Sequence, residues 1–502
     1  YLYTFANKAP SDMDRAATHT IGIYGSRNLN EFDLGTHRAD GWLDFVPNGA
    51  AVTKVRDVVR TATCNKCHDN LAFHGGNRRS MVICNMCHTP QTTEPGSGNT
   101  VDMKVMVHKI HMGEDLPSVV AKGRYFIGNV DYSSVVNPSP NMDCSVCHEP
   151  QSKSGAVQAD NWLTKPSRAS CGSCHDDINW ATGEGHRAGA ATNDDRCANC
   201  HRAEAGSDFD ASIPGAHTVP QRSGLLQGLT ADIVSVENVG AGKKAVVTFT
   251  IKNKAGEPVT PSTLGTMRLY MGGPTTDIAS YVREDARQAT DAGGGRYTYT
   301  FTAAVPESAR GSWQFGIEAY RNVTLLEGTA NQRTVREASS FKVVAVTADG
   351  RPMQARRAVV STAKCMTCHT QFGFHGGNRN TVESCTFCHT PSLVDEGVSF
   401  NFPNFIHRIH AEEVRYPGNL QNCSQCHVNN SQFLPLAETS QPTVNGKAPV
   451  SPTPPMTNAC LSCHNTTEAW SHATANTNQY GESCAVCHDA NSHYSVGRVH
   501  AQ

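Results

Sequence analysis

The residues with the plainest chemistry in this chain are cysteines followed by histidine. The run Cys-x-x-Cys-His occurs ten times, starting at Cys64, Cys84, Cys144, Cys171, Cys197, Cys365, Cys385, Cys423, Cys460 and Cys484. It is the attachment signature of a c-type haem. Two thiols add to the two vinyl groups of one porphyrin, and the adjoining histidine falls under the iron. The second cysteines are Cys67, Cys87, Cys147, Cys174, Cys200, Cys368, Cys388, Cys426, Cys463 and Cys487, so all 20 cysteines are used. None is left for a disulfide or a nucleophile. Zinc also takes cysteine and histidine, but ten copies, each with histidine directly after the second cysteine, point to haem. The proximal ligands expected are His68, His88, His148, His175, His201, His369, His389, His427, His464 and His488.

Ten irons also need ten sixth ligands. The chain has 23 histidines, so 13 remain. The candidates are His74, His108, His111, His186 and His217 in a first cluster, and His375, His407, His410, His472 and His500 in a second. His19, His37 and His493 are left without a role, although His493 competes with His500 in the short tail after the last motif. Ten spare histidines for ten haems predict imidazole on both sides of every iron, hence low-spin centres. Spacing does not say which distal histidine serves which haem.

These ligands must be positioned by something, and the sequence shows how. Cys64-Asn-Lys-Cys67-His68, Phe73-His74-Gly75-Gly76-Asn77-Arg78 and Cys84-Asn-Met-Cys87-His88 return as Cys365-Met-Thr-Cys368-His369, Phe374-His375-Gly376-Gly377-Asn378-Arg379 and Cys385-Thr-Phe-Cys388-His389. The chain is therefore a duplication. His108-x-x-His111 and His407-x-x-His410 lie in apolar surroundings that predict helix, around 103–112 in the first copy. Positions i and i+3 share a helix face, about 4.5 Å apart along the axis. One helix should thus ligate two adjacent haems.

A length of 502 residues implies several domains. Residues 1–58 read as β-strands from Tyr1-Leu-Tyr-Thr-Phe5, Ile21-Gly-Ile-Tyr24 and Trp42-Leu-Asp-Phe-Val46. Residues 59–220 carry the first five motifs. They hold too little aliphatic side chain for an ordinary core, so the porphyrins must supply it, walled by Phe73, Trp162 and Trp180. Trp470 is placed like Trp180, shortly before a distal histidine. Residues 221–350 have no cysteine or histidine. Period-2 alternation at Val247–Ile251, Tyr297–Phe301 and Trp313–Ile317, with turns near Asn253–Gly256 and Gly293–Gly295, predicts an antiparallel sandwich or small barrel, used as spacer or docking surface. Residues 351–502 carry the last five motifs, with a Pro-rich insertion at 451–455. Residues 297–301 resemble 1–5, and Gly316-Ile317 resembles Gly22-Ile23, so 1–58 is expected to be the C-terminal part of a truncated β-domain. The native precursor is then expected to extend further, with export signal and anchor in the missing part.

Net charge is −2, which gives the polypeptide no basic footprint for nucleic acid. Haem propionates would make the assembled protein more acidic. No apolar run reaches the roughly 18 residues of a membrane-spanning helix. Covalent haem implies a compartment outside the cytoplasm, where spare thiols would oxidise.

The motif count, order and spacing resemble the outer-membrane decahaem c-type cytochromes of metal-reducing bacteria, the MtrC and OmcA type. The resemblance covers essentially the whole chain. It implies the order β, pentahaem, β, pentahaem, with the ten haems in a staggered cross. It also implies a place on the cell surface, facing outward from the outer membrane. Electrons would come from a porin–cytochrome conduit or other multihaem cytochromes and pass to metal oxides, electrodes or flavins. Members commonly carry a cysteine pair in a β-domain, which is absent here, so that disulfide's switching is not carried over.

Bis-histidine iron has no open position, so the chain is expected to be an electron carrier with no catalytic residues. A multihaem reductase would need a five-coordinate haem, often with Cys-x-x-Cys-Lys, and no such run occurs. A subunit of a conductive cytochrome filament is the other reading. Pyridine haemochrome analysis after denaturation and solvent extraction should return ten haems per chain, all retained on the polypeptide.

Overall fold

A computed structural model describes residues 2–500 except 33, 392, 397, 435, 437–442, 445–451, 454 and 479. Of the Pro-rich insertion expected at 451–455, residues 451 and 454 lie outside the described residues, Pro452–Thr453 pairs antiparallel with Thr443–Val444, and Pro455 opens a helical turn. The chain forms two compact units: residues 1–137, 143–205 and 211–214 in the first, and 138–142, 206–210 and 215–502 in the second.

The first unit opens with an antiparallel hairpin of β1 (His19–Asn28) and β2 (Thr36–Phe45), with Gly22 opposite Trp42 and Tyr24 opposite Asp40. Of the strand expected at residues 1–5, the described residues 2–5 form none; Leu2, Tyr3 and Phe5 are exposed and pair with no strand among the described residues. Alternation alone does not make a strand without a partner for its backbone. The hairpin is followed by α1 (Thr61–His68), α2 (Met81–Cys87) and α3 (Met103–Met112). The last is the helix expected at 103–112. Buried Asp102 caps it by accepting from Lys104 N, and Gly113, at φ +45°, ends it. Beyond α3 the described part of the unit is a two-residue antiparallel ladder, Phe126–Ile127 with Val130–Asp131, together with turns and short helical turns.

The second unit contains the sandwich. One sheet joins β3 (Thr230–Glu237), β4 (Val246–Lys252), β7 (Thr290–Gly293) and β8 (Arg296–Thr300), in the order β3-β4-β8-β7. The other joins β5 (Thr266–Gly273), β6 (Ser280–Asp285), β9 (Ser312–Leu325), β10 (Arg333–Ala338) and β11 (Lys342–Thr347), with β9 central. Val247, Phe249 and Ile251 from one sheet meet Met267, Leu269, Phe315 and Ile317 from the other. In β4 every second residue is buried, as alternation requires.

β9 breaks the alternation: its first eight residues are all buried. The reason is a third layer. α4 (Val382–Cys388) presses Phe387 onto the outer face of this sheet, where it meets Tyr270, Ile278 and Phe341. Gly316 leaves the room, since a Cβ there would stand 2.4 Å from Phe341 Cζ and 3.1 Å from Phe387 Cε2. The first unit repeats the device. A Cβ on Gly22 would stand 2.6 Å from Ile83 Cδ1 and 2.7 Å from Met86 Sδ, and Met86 fills the place in its motif that Phe387 fills in the other. α4 is followed by α5 (Phe402–Arg408), which runs on into a π turn at Ile409–Glu413, and later by α6 (Thr467–Ala475).

Gly316→Val should lower the free energy of unfolding by about 1–3 kcal/mol through overpacking. Gly25→Val, whose Cβ meets nothing within 4 Å, should change it by less than about 0.5 kcal/mol. Denaturant melts of the two variants check the difference.

Candidate haem-binding sites

Each Cys-x-x-Cys-His run closes a turn of helix. The histidine N–H donates to the carbonyl of the first cysteine at 2.9–3.0 Å in the nine runs from Cys84 to Cys484, and Cys64–His68 lies within α1. One such turn puts cysteines i and i+3 on the same side. This is why two intervening residues suit two neighbouring attachment points. Burial pushes the thiols of Cys64 and Cys147 up to about 11 and that of Cys144 to about 12.

The histidines meet in pairs. In the first unit the ring centres of His68 and His111 are 6.1 Å apart, His74 and His88 6.0 Å, His108 and His148 6.1 Å, and His186 and His201 6.4 Å. In the second, the pairs are His369 and His410 at 6.3 Å, His375 and His389 at 6.2 Å, His407 and His427 at 6.0 Å, His464 and His500 at 5.9 Å, and His472 and His488 at 6.1 Å. Every pair joins a motif histidine to a candidate distal one. A metal-bound imidazole nitrogen stands about 2 Å from its metal and the ring centre about 1.1 Å behind it, so two rings capping one iron have centres roughly 6.2 Å apart. The residues therefore fit a six-coordinate haem iron.

His175 falls in the first unit, and His217, directly after the turn Ile213–Ala216, falls in the second. His493 packs edge-to-face on Tyr494, whereas His500 faces His464 of the ninth motif. His472 faces the last motif. His19 meets Phe45 and the carbonyl of Asp14, and His37 is exposed on β2.

The helix pairs work as one element serving two motifs. On α3, His108 faces the third motif and His111 the first. On α5 and the π turn after it, His407 faces the eighth and His410 the sixth. Burial pushes His148 and His407 down to about 4, keeping them neutral, the form that binds metal.

Residues 56–212 and 357–501 match the family model described as outer membrane cytochrome MtrC/MtrF-like, domains II/IV. The chain belongs to that family. A curated relative, the multihaem cytochrome MtrC of Shewanella baltica (strain OS185), is 24% identical over 481 residues, covering 85% of this chain and 66% of that protein, just under two thirds of its length. The crystal structure of MtrC from Shewanella baltica OS185 is similar with a TM-score of 0.69 and 21% identity, over 97% of this chain and 84% of that one. The outer membrane decahaem cytochrome OmcA is similar with a TM-score of 0.71 and 20% identity, over 97% of this chain and 80% of that one. The fold is thus the mixed one of these multihaem cytochromes, in which antiparallel β-domains alternate with haem-binding regions of short helices and turns.

Within this MtrC/MtrF-like chain, the supporting shell holds residues that motif reading missed. Ser173 and Ser462, both buried between the cysteines of motifs four and nine, accept from Nδ1 of His108 and His407 at 3.1 Å. Each serine in turn donates to a carbonyl of its own turn, Ser170 or Ala459. Backbone carbonyls receive Nδ1 of His88, His111, His186, His201, His389, His410, His488 and His500 at 2.8–3.0 Å. With Nδ1 committed, Nε2 is the nitrogen left for metal, and the bond raises its basicity. The recurrence of Cys-x-Ser-Cys-His at matching motifs was the signal available. The two copies differ at one ring. His427 Nδ1 meets Ser431 Oγ at 3.1 Å, whereas His148 Nδ1 is buried without a partner among the described residues. With haem in place, Ser431→Ala should raise the potential of one centre by up to about 60 mV, the one-electron equivalent of a tenfold change, read by redox titration.

Proposed function

We propose that this chain is an extracellular electron-transfer protein in which ten bis-histidine c-type haems form a conductor. The observation that carries the reading is the set of nine facing histidine pairs at 5.9–6.4 Å, each joining a motif histidine to a second ring. His217 is the tenth distal histidine by count. Haem, when bound, supplies an iron that takes up and gives back one electron. The protein's own part is to close, hold and insulate. The paired imidazoles would hold the iron from both sides and leave no place for a substrate, so outer-sphere transfer remains. Two imidazoles donate more strongly than an imidazole and a thioether, which sets low potentials. α3, and α5 together with the π turn that continues it, each tie two motifs to one continuous element, which limits drift in the spacing of those centres. Trp162 lies 6.3 Å from His148 and Trp180 lies 5.5 Å from His186, where they exclude water from the ligand.

Membership in an outer-membrane cytochrome family supports a place on the outward face of the outer membrane. The electron source is then a porin–cytochrome conduit or another multihaem cytochrome, and the acceptors are metal oxides, flavins or electrodes. Low-temperature EPR of the oxidised protein should show low-spin haem only, alongside ten haems by haemochrome. A stoichiometric high-spin signal would instead point to an enzyme. His407→Met should raise the potential of one centre while leaving the haem count at ten, measured by redox titration.

A further inference from the structure

The ten proposed distal ligands are not held alike. His108, His111, His407 and His410 stand on α3, α5 and the π turn, with Nδ1 bonded. His74 is held differently. It sits exposed at the tip of a turn closed by Phe73 and Arg78, with a left-handed φ of +52°, and Gly75 and Gly76 follow it at +75° and +85°. A side chain bearing Cβ is strained in that region, and two glycines beside it offer a ready hinge. Its Nδ1 has no hydrogen-bond partner among the described residues.

His375 occupies the same turn in the second unit, at φ +51°, but there the turn is fastened. Arg336 donates to Gly376 O at 3.0 Å and Asn378 Oδ1 at 3.1 Å. Asn378 Nδ2 donates to the buried carboxylate of Glu318 at 2.5 Å, and Arg379 approaches the same carboxylate at 3.3 Å. In the first unit Tyr24 stands where Glu318 would be, two residues beyond the packing glycine. Arg78 donates to its hydroxyl at 2.7 Å, lies over its ring at 4.0 Å and reaches His74 O at 3.4 Å, and Arg79 donates to Gly76 O at 3.2 Å. No buried carboxylate among the described residues anchors these groups, and Asn77 Oδ1 is buried without a partner among the described residues.

We propose that His74 is a releasable ligand, so that the haem of Cys84 and Cys87 is where a small uncharged ligand such as carbon monoxide reaches iron in this chain. The inference rests on the pairing of His74 with His88 about one iron. In the exchange one iron–nitrogen bond breaks and one iron–carbon bond forms, and no electron is transferred. The turn swings on Gly75 and Gly76, and His88 stays bound, since its Nδ1 is fixed to Val101 O at 2.9 Å.

The test is carbon monoxide binding to the dithionite-reduced holoprotein, followed optically, with haem content checked at ten. One equivalent per chain is expected. Tyr24→Phe, which removes the hydroxyl that Arg78 grips, should speed uptake roughly tenfold. Tyr24→Glu, which gives Arg78 and Asn77 the carboxylate of the second unit, should slow it by a similar factor. His74→Ala should bind at once and show one high-spin haem when oxidised. No uptake by the native protein, or uptake at one rate in all the variants, would overturn the proposal. A high-spin haem in the native oxidised protein would overturn the pairing itself along with its release.

Discussion

In the proposed conductor two imidazole rings face each other across one iron, and that spacing has to be held to a fraction of an ångström. Everything else in the structure serves this requirement. A ring on a long loop would wander, and the haem regions have few aliphatic residues with which to stop it. The chain answers with short-range devices. A single helical turn fixes two cysteines and a histidine together, and an Nδ1 bond to a carbonyl or serine fixes the ring's rotation and its tautomer. Where one helix can serve two motifs, it does. The serines of motifs four and nine tie His108 and His407, each of which faces one motif, to the turn of another. Moving one site therefore disturbs its neighbour.

The β-elements are part of the same arrangement. Phe387 belongs to an attachment motif, yet it is fully buried against a sheet. Gly316 is what admits it, and Gly22 admits Met86 in the other unit. Glu318, on the same face of β9, carries the polar half of that seam. It is buried and accepts from Tyr270 at 2.5 Å and Asn378 at 2.5 Å, with Arg379 close by. A buried carboxylate with this many donors is stable only while all of them stay in place. The sheet thus fixes the turn that carries His375, a more active role than that of a spacer.

The chemistry was legible in the sequence because covalent attachment needs fixed residues at fixed spacing. The strands at Val246–Lys252 and Arg296–Thr300 were legible because only one of their faces is in the core. What stayed hidden was set by tertiary contacts. β9 is covered on both sides, so its outer face carries Gly316 and Glu318, which no alternation rule anticipates. Residues 2–5 alternate well but have no strand to pair with among the described residues. Arg38 and Arg336 belong to a weak echo, Thr36-His-Arg38 against Thr334-Val-Arg336, and each lies over a glycine of a histidine turn. A Cβ on Gly76 would stand 3.0 Å from Arg38 Cδ. Three residues of likeness have no meaning until the turn beneath them is seen.

The two copies agree on ligands and differ in what supports them. Histidine stands at corresponding places in both, and the pairings His74–His88 and His375–His389, or His108–His148 and His407–His427, repeat closely. Yet Glu318 is replaced by Tyr24, Asn378 is fully bonded where Asn77 is not, and Ser431 has no counterpart holding His148. Loss of a ligand would open an iron and end its use as a relay. Loss of a supporting bond only shifts a potential or loosens a turn. Differences of the second kind can accumulate without breaking the path, and in the proposed conductor they would make equivalent centres in the two units electronically unequal. A conductor built by duplication would otherwise offer an electron two identical halves with nothing to bias its direction. In the proposed conductor the ligands are the same in both copies, and the supporting residues are one source of such a bias.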